Sequence, residues 1–296
     1  MNLAVTVPTL PKVREETYNK FVDVWQPLFE KHGVELITIY DGEKPYVMYK
    51  GKKYTQKKIM GKYEGAIVNF NGGVRNLGFA FIAKYLPEVE AIMALDDDTR
   101  PIGDTLQDHI DILKQRVPVS WMSTANHYMR GFPYKVRDEA EVVLSHGVWE
   151  GVADWDAPTQ LVLNGNFPEV TFPKMPVPKG AYFPVCAMNM MFKRKLLPFI
   201  YQAPFATHMN PPVGRPDDIL AGIVAKREID KRGWAAVTGY AKVLHERASN
   251  VYKNLQLEAK TIELFEDFWR GDEADPYFKI YREKLKLWQE FLSTTI

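Results

Sequence analysis

Cysteine is nearly absent from this chain: Cys186 is the single one in 296 residues. That excludes a disulfide framework and any zinc module built on paired cysteines. No run approaches the roughly 18 uninterrupted apolar residues that a membrane span needs. The opening MNLAVTVPTLPK lacks the charged start and apolar run of a signal peptide, so the expected compartment is the cytoplasm. Neither sign of charge dominates: 38 Lys and Arg stand against 37 Asp and Glu, for a net charge of +1. A dedicated nucleic-acid coat is therefore excluded, although a local basic groove is not. There is no internal repeat and no low-complexity tract. There is also no GxGxxG, and the Gly73–Gly78 spacing lacks the Lys-Ser/Thr of a P-loop. These absences disfavour a dinucleotide dehydrogenase and a P-loop kinase. Hydrophobic residues at 46% and charged residues at 25% fit an ordinary globular protein. What the chain has in excess is aromatic residues, 13% of the total.

The first third alternates short apolar runs with helical periodicity. Leu3–Val7 reads as a strand stopped by Pro8 and Pro11. From about Arg14 to His32, Phe21, Val24, Trp25, Leu28 and Phe29 recur at helical spacing. Val34–Tyr40 is a second strand closed by Asp41-Gly42, and Ala66–Phe70 a third. Gly72-Gly73 opens a helix over Val74–Tyr85, and Val89–Leu95 is a fourth strand that runs into Asp96-Asp97-Asp98. Between them, Lys50–Lys58 holds five lysines in a polar, solvent-facing stretch. Strand–helix alternation of this kind predicts an α/β domain with a largely parallel sheet. Ligands of such sheets bind beyond the carboxyl ends of the strands, which brings Thr9, Asp41 and Asp96–Asp98 to one cleft. The second half is less regular. Six prolines between Pro158 and Pro184 exclude long helices there. A strand is expected at Met188–Phe192, a short helix at Lys193–Tyr201, a helix at Asp217–Arg232 and a strand near Ala235–Leu244. Two aromatic-faced helices, Leu257–Trp269 and Tyr277–Leu292, end the chain.

The acidic triplet is the strongest chemical signal. In extended backbone Asp96 and Asp98 share a face while Asp97 points away. Two converging carboxylates repel unless a cation sits between them, and oxygen ligands suit Mg²⁺ or Mn²⁺. An isolated acidic tripeptide is ordinarily a solvated turn, but its place after a buried strand at the ligand edge favours a metal. Arg75 and Asn76, opening a helix after two glycines, suit a phosphate or are simply a helix start with a surface arginine. Asp217-Asp218 reads first as acidic residues in a helical first turn. His245 and His146 read first as ordinary hydrogen-bonded histidines, with no second His or Cys at ligand spacing.

Longer blocks say more. MRGFPYKVRDEAEVVLSHGVWEGVADWDAPTQLV (Met129–Val162), PKGAYFPVCAMNMMF (Pro178–Phe192), VGRPDDILAG (Val213–Gly222) and HERASNVYKNL (His245–Leu255) are collinear. Together they resemble the reversibly glycosylated polypeptide family, the UDP-arabinopyranose mutases. The resemblance implies a GT-A type nucleotide-sugar-binding fold over residues 1–255, with a helical C-terminal extension over 256–296. It implies a divalent metal, Mn²⁺ or Mg²⁺, on Asp96 and Asp98, with His245 as a late ligand of the metal or the diphosphate. Thr9, Asp41, Arg75, Asp96 and Asp97 would then serve the nucleotide, with Asp41 facing the uridine. Asp217 and Asp218 become candidates for the sugar pocket, and the family's glycosylated arginine maps to Arg130. His146, Trp149 and Trp155 fall inside the matching blocks, where aromatic rings can stack on a sugar. The segment NGGVRNLGFAF (residues 71–81) departs from the Cys-containing segment of plant members, and the C-terminal tail is shorter.

The activity so implied interconverts UDP-arabinopyranose and UDP-arabinofuranose, with self-glycosylation and a homo-oligomer as accompanying expectations. The same donor site would serve a glycosyltransferase that passes sugar to a separate acceptor, a glycan or a modified nucleic-acid base. Only the Lys50–Lys58 cluster favours a polyanionic acceptor, and a solvated loop is its ordinary explanation.

Overall fold

The computed structural model describes residues 1–122, 128–164, 173–246 and 250–296. In chain order the strands are β1 (Leu3–Thr9), β2 (Glu35–Tyr40), β3 (Tyr46–Tyr49), β4 (Lys52–Thr55), β5 (Ala91–Leu95) and β6 (Thr99–Pro101). They continue with β7 (Arg116–Val117), β8 (Ala140–Gly151), β9 (Met175–Pro176), β10 (Asn189–Lys193) and β11 (Trp234–His245). The α-helices are α1 (Glu15–His32), α2 (Gln56–Met60), α3 (Arg75–Tyr85), α4 (Thr105–Leu113), α5 (Ala157–Leu163), α6 (Asp217–Lys231), α7 (Val251–Arg270) and α8 (Tyr277–Ser293).

One mixed sheet runs β4-β3-β2-β1-β5-β10-β8-β11-β6. Pairings β2–β1, β1–β5 and β8–β11 are parallel; the other pairings along the path are antiparallel. The largely parallel order expected from the first third thus holds for β2-β1-β5, while β10 enters antiparallel beside β5. The strands alternate sides with period two. Ala4, Ile37, Ile39, Ile92, Ala94, Met190 and Phe192 join one apolar cluster with α3, α6, α7 and α8. Leu3, Val5, Val7, Met93, Leu95 and Met191 join another with α1 and α4. Helix α3 is buried from Arg75 through Ala83, as a helix apolar on all sides must be. Asn71 caps the 3₁₀ turn Gly72–Val74 that leads into it, accepting a hydrogen bond from the Gly73 N–H at 2.8 Å.

Three expectations change. Ala66–Phe70 is not a strand: Ala66 closes a 3₁₀ turn that begins at Gly61, and Phe70 takes a left-handed φ of 57°. Instead the Phe70 N–H donates to the Asp41 carboxylate at 3.0 Å. The lysine-rich stretch remains solvent-facing but is ordered as the β3–β4 hairpin. Lys50 and Gly51 at its turn have φ of 46° and 73°, the geometry of a tight hairpin turn. The boundary drawn at residue 255 falls inside α7, whose Leu264, Phe265 and Phe268 share the core of α3 and α6. Helix α8 docks on the same core, with Trp288 Nε1 donating to the Leu197 carbonyl at 3.1 Å and the Tyr277 hydroxyl to that of Pro204 at 2.9 Å. Among the described residues no helix is long and apolar enough to cross a membrane.

Candidate active site

The carboxyl ends of β1, β2 and β5 meet as their topology requires. The Thr9 hydroxyl donates to Asp97 Oδ2 at 2.7 Å, and the Asp41 N–H donates to the Thr9 carbonyl at 2.9 Å. The acidic triplet does not keep strand geometry, because the chain turns between β5 and β6. The Thr99 N–H and hydroxyl both donate to the Asp96 carbonyl, at 3.2 and 2.7 Å. Alternation therefore fails, and Asp96 and Asp98 do not act as a matched pair. Asp97 and Asp98 share Arg14, whose Nη2 lies 2.5 Å from one and 2.8 Å from the other. Asp96 instead pairs with Arg75. Burial raises the Asp97 carboxyl to about 6 against the pull of Thr9 and Arg14.

Beyond Asp98, His245 ends β11. Its Nδ1 donates to the Val152 carbonyl at 2.7 Å, which leaves the Nε2 lone pair facing outward. That nitrogen stands 3.8 Å from Asp98 Oδ1, a buried oxygen with no hydrogen-bond partner among the described residues. Two acceptors facing one another across a buried gap fit a cation. One carboxylate oxygen and one imidazole suit Mn²⁺, and Mg²⁺ through the oxygen.

Next to the triplet lies a cavity of about 880 Å³. Asp96, Asp154, Asp217 and Asp218 line its acid end together with Arg75 and Arg215. Arg75, the first residue of α3, places Nη1 3.8 Å from Asp217 Oδ2 while pairing with Asp96, so one guanidinium ties β5 to the start of α6. Gly72 makes room for this: a Cβ there would sit on the Asp217 carboxylate and 2.9 Å from Arg75 Nη1. Arg215, held at a left-handed φ of 54°, reaches Glu258 at 2.9 Å and Asp154 at 3.7 Å. Asp218 accepts the Ala187 N–H at 2.9 Å. Burial first, then the neighbouring Asp217 and Asp154, push its carboxyl up to about 8. Burial raises Asp217 as well, opposed first by Arg75. Cys186 lies within 4.8 Å of Asp154 and Asp218, and burial keeps its thiol protonated.

His146, Trp149 and Trp155 all line the cavity. His146 has no free nitrogen: Nε2 accepts the Cys186 N–H at 3.1 Å, so Nδ1 carries the proton and donates to the Thr238 hydroxyl at 3.0 Å. Burial holds the ring neutral, with a pKa lowered to about 4. Neither nitrogen is therefore left to bond a molecule in the cavity. Trp149 offers a buried Nε1 with no partner among the described residues. Arg130 is exposed and is not part of the cavity wall. Sequence reasoning missed Arg14, Asp154, Arg215 and Glu258. Glu258 carried a signal, an acid three residues before Thr261 and seven before Phe265 on the apolar stripe of α7.

The chain is similar to several characterised proteins. UDP-arabinopyranose mutase 3 of Arabidopsis thaliana is 29% identical over 94% of this chain and 77% of its own length. UDP-arabinopyranose mutase 1 of Oryza sativa subsp. japonica shows the same identity and coverage. Among solved structures, mannosyl-3-phosphoglycerate synthase from Rubrobacter xylanophilus superposes with a TM-score of 0.50 at 11% identity, covering 93% of this chain and 78% of that one. That likeness concerns the fold alone, a mixed sheet flanked by helices of the GT-A type. The model of the family described as reversibly glycosylated polypeptide matches residues 4–278, and the chain belongs to that family.

Proposed function

We propose that this protein is a UDP-sugar enzyme that interconverts UDP-arabinopyranose and UDP-arabinofuranose. The observation that carries the reading is the adjoining of two sites. The Asp98–His245 gap suits a metal-bound diphosphate, and the acid end of the cavity beside it suits the sugar. The names of the relatives supply the choice of sugar. Thr9 and Asp41 border the nucleotide. Asp98 and His245 would hold Mn²⁺ or Mg²⁺, and such an ion would supply Lewis-acid neutralisation of charge on the departing UDP. Arg14 fixes Asp97 and Asp98, and Arg75 fixes Asp96 and Asp217.

Ring contraction breaks the bonds of the anomeric carbon to UDP and to the ring oxygen, forms one to a sugar hydroxyl oxygen, and re-forms the bond to the same UDP. That hydroxyl loses its proton, and the former ring oxygen gains one. Two neighbouring carboxyl groups, one giving and one taking a proton, suit that exchange. Asp218, protonated at neutral pH, donates to the oxygen that leaves the ring, and Asp217 accepts from the oxygen that enters it. The Asp217 carboxylate, held beside Arg75, would also stabilise the positive charge that develops on the sugar.

Arg130 is proposed as a site of self-glycosylation and not as an obligatory carrier, because it is exposed and outside the cavity wall. Arg130→Lys should abolish the adduct while turnover continues; loss of both would contradict this. The function itself is tested by incubating the pure protein with UDP-arabinopyranose and Mn²⁺. Formation of UDP-arabinofuranose without an acceptor is expected. A reaction that begins only when an acceptor is supplied would make the protein a transferase instead.

A further inference from the structure

The cavity is longer than its acid end. Its volume of about 880 Å³ lies in the upper part of the range, roughly 300–1,000 Å³, that binds small organic ligands. Helix α7 forms one wall. Near its start Glu258 accepts from Arg215 at 2.9 Å and from the Ala157 N–H at 2.8 Å, so it belongs to the acid end. Trp269 lies eleven residues further on, about 16 Å along the helix at 1.5 Å per residue, and it also lines the cavity.

There the wall changes character. The Tyr182 ring, 42% exposed, meets Trp269 edge to face at 5.6 Å and 89°. Phe265 stands one helical turn before Trp269. The Arg227 guanidinium donates to the Trp269 carbonyl at 3.0 Å and lies 5.6 Å from the indole, so the platform is fixed in place. Glu266 and Arg270, paired with each other, stand at its rim and line the cavity as well.

We propose that this far end is a second carbohydrate subsite, for a saccharide bound separately from the UDP-sugar. The proposal rests on the reading that the acid end receives the sugar of a UDP-sugar. A sugar ring is apolar on its C–H faces and polar at its edge. Tyr182 and Trp269 match the faces, and Glu266 and Arg270 match the hydroxyls. A wholly apolar occupant would use the rings and leave both charges unengaged.

The test is calorimetric, on the full chain with Mn²⁺. UDP is titrated first; then cellobiose, maltose and xylobiose are each titrated into the UDP-saturated protein. At least one disaccharide should bind with a Kd on the order of 1 mM. Tyr182→Ala and Trp269→Leu should each weaken that binding at least tenfold and leave UDP affinity unchanged. Tyr182 is half exposed on a loop, which keeps the test open if the Trp269 variant does not fold. UDP binding with no disaccharide binding overturns this subsite alone, as does disaccharide binding untouched by both variants. Failure to bind UDP overturns the underlying reading and the subsite with it.

Discussion

His245 Nε2 faces Asp98 Oδ1 across 3.8 Å while its Nδ1 proton is committed to the Val152 carbonyl. The ring is therefore oriented by the backbone of a neighbouring segment before any ligand arrives. A lone pair and a carboxylate oxygen left facing each other in a buried place are costly unless a cation joins them.

Metal affinity follows from that pair. Asp98→Asn and His245→Gln should each weaken Mn²⁺ binding by at least about 100-fold, since even outer-shell changes around a metal cost 10–100-fold. Titration of Mn²⁺ followed by electron paramagnetic resonance measures it. Unchanged affinity in both variants would place the metal elsewhere.

Asp218 gives a pH signature. Its carboxyl is raised from 3.8 to about 8 in the folded state, so the folded protein holds a proton that the unfolded chain has lost. Its contribution to stability is complete below about pH 4 and is lost as pH rises through about 8. The Asp218→Asn variant should show a flatter dependence of Tm on pH across that window. If Asp218 is the proton donor, wild-type turnover should also fall as pH rises past about 8. A variant with the wild-type slope would contradict the assignment.

Arg75 neutralises two carboxylates at once. Arg75→Met leaves Asp217 buried without its cation, and removing one partner of a buried pair costs about 3–5 kcal/mol. Chemical denaturation should show that loss, and Arg75→Met combined with Asp217→Asn should recover much of it. A double change that costs the sum of the two single changes would mean that the pair does not interact.

Gly72 tests positioning without removing a charge. Gly72→Ala puts a methyl group where the Asp217 carboxylate lies. Because both neighbours are ends of flexible side chains, the fold should persist, with Tm within about 3 °C of wild type. Turnover should fall roughly 100-fold, the cost of displacing a reacting group by about 1 Å. Wild-type turnover would show that the Arg75–Asp217 geometry is unimportant.

Much of this molecule was legible along the chain. Strands β1 and β5 are apolar runs with clear stops, and the acidic triplet advertises itself at the end of β5. The relation among the three acids was not legible, because it depends on a turn that ends strand alternation after Leu95 and on Arg14, 84 residues away from Asp98. The same holds for Arg215 and Glu258, which meet across 43 residues. Such contacts are set by how helices dock on the sheet, not by local pattern. Strand β8 went unread although it carries His146 and Trp149. Ala66–Phe70 imitates a strand in its residues, but the 3₁₀ turn before it and the left-handed φ of 57° at Phe70 exclude one.

The central claim is catalysis of ring interconversion on a UDP-sugar. The most direct measurement follows both ring forms by proton NMR with Mn²⁺ present, starting separately from UDP-arabinopyranose and from UDP-arabinofuranose. Both reactions should converge on one ratio of the two UDP-sugars, with no acceptor added. Substrates unchanged from both directions, or release of UDP and free arabinose alone, would contradict it.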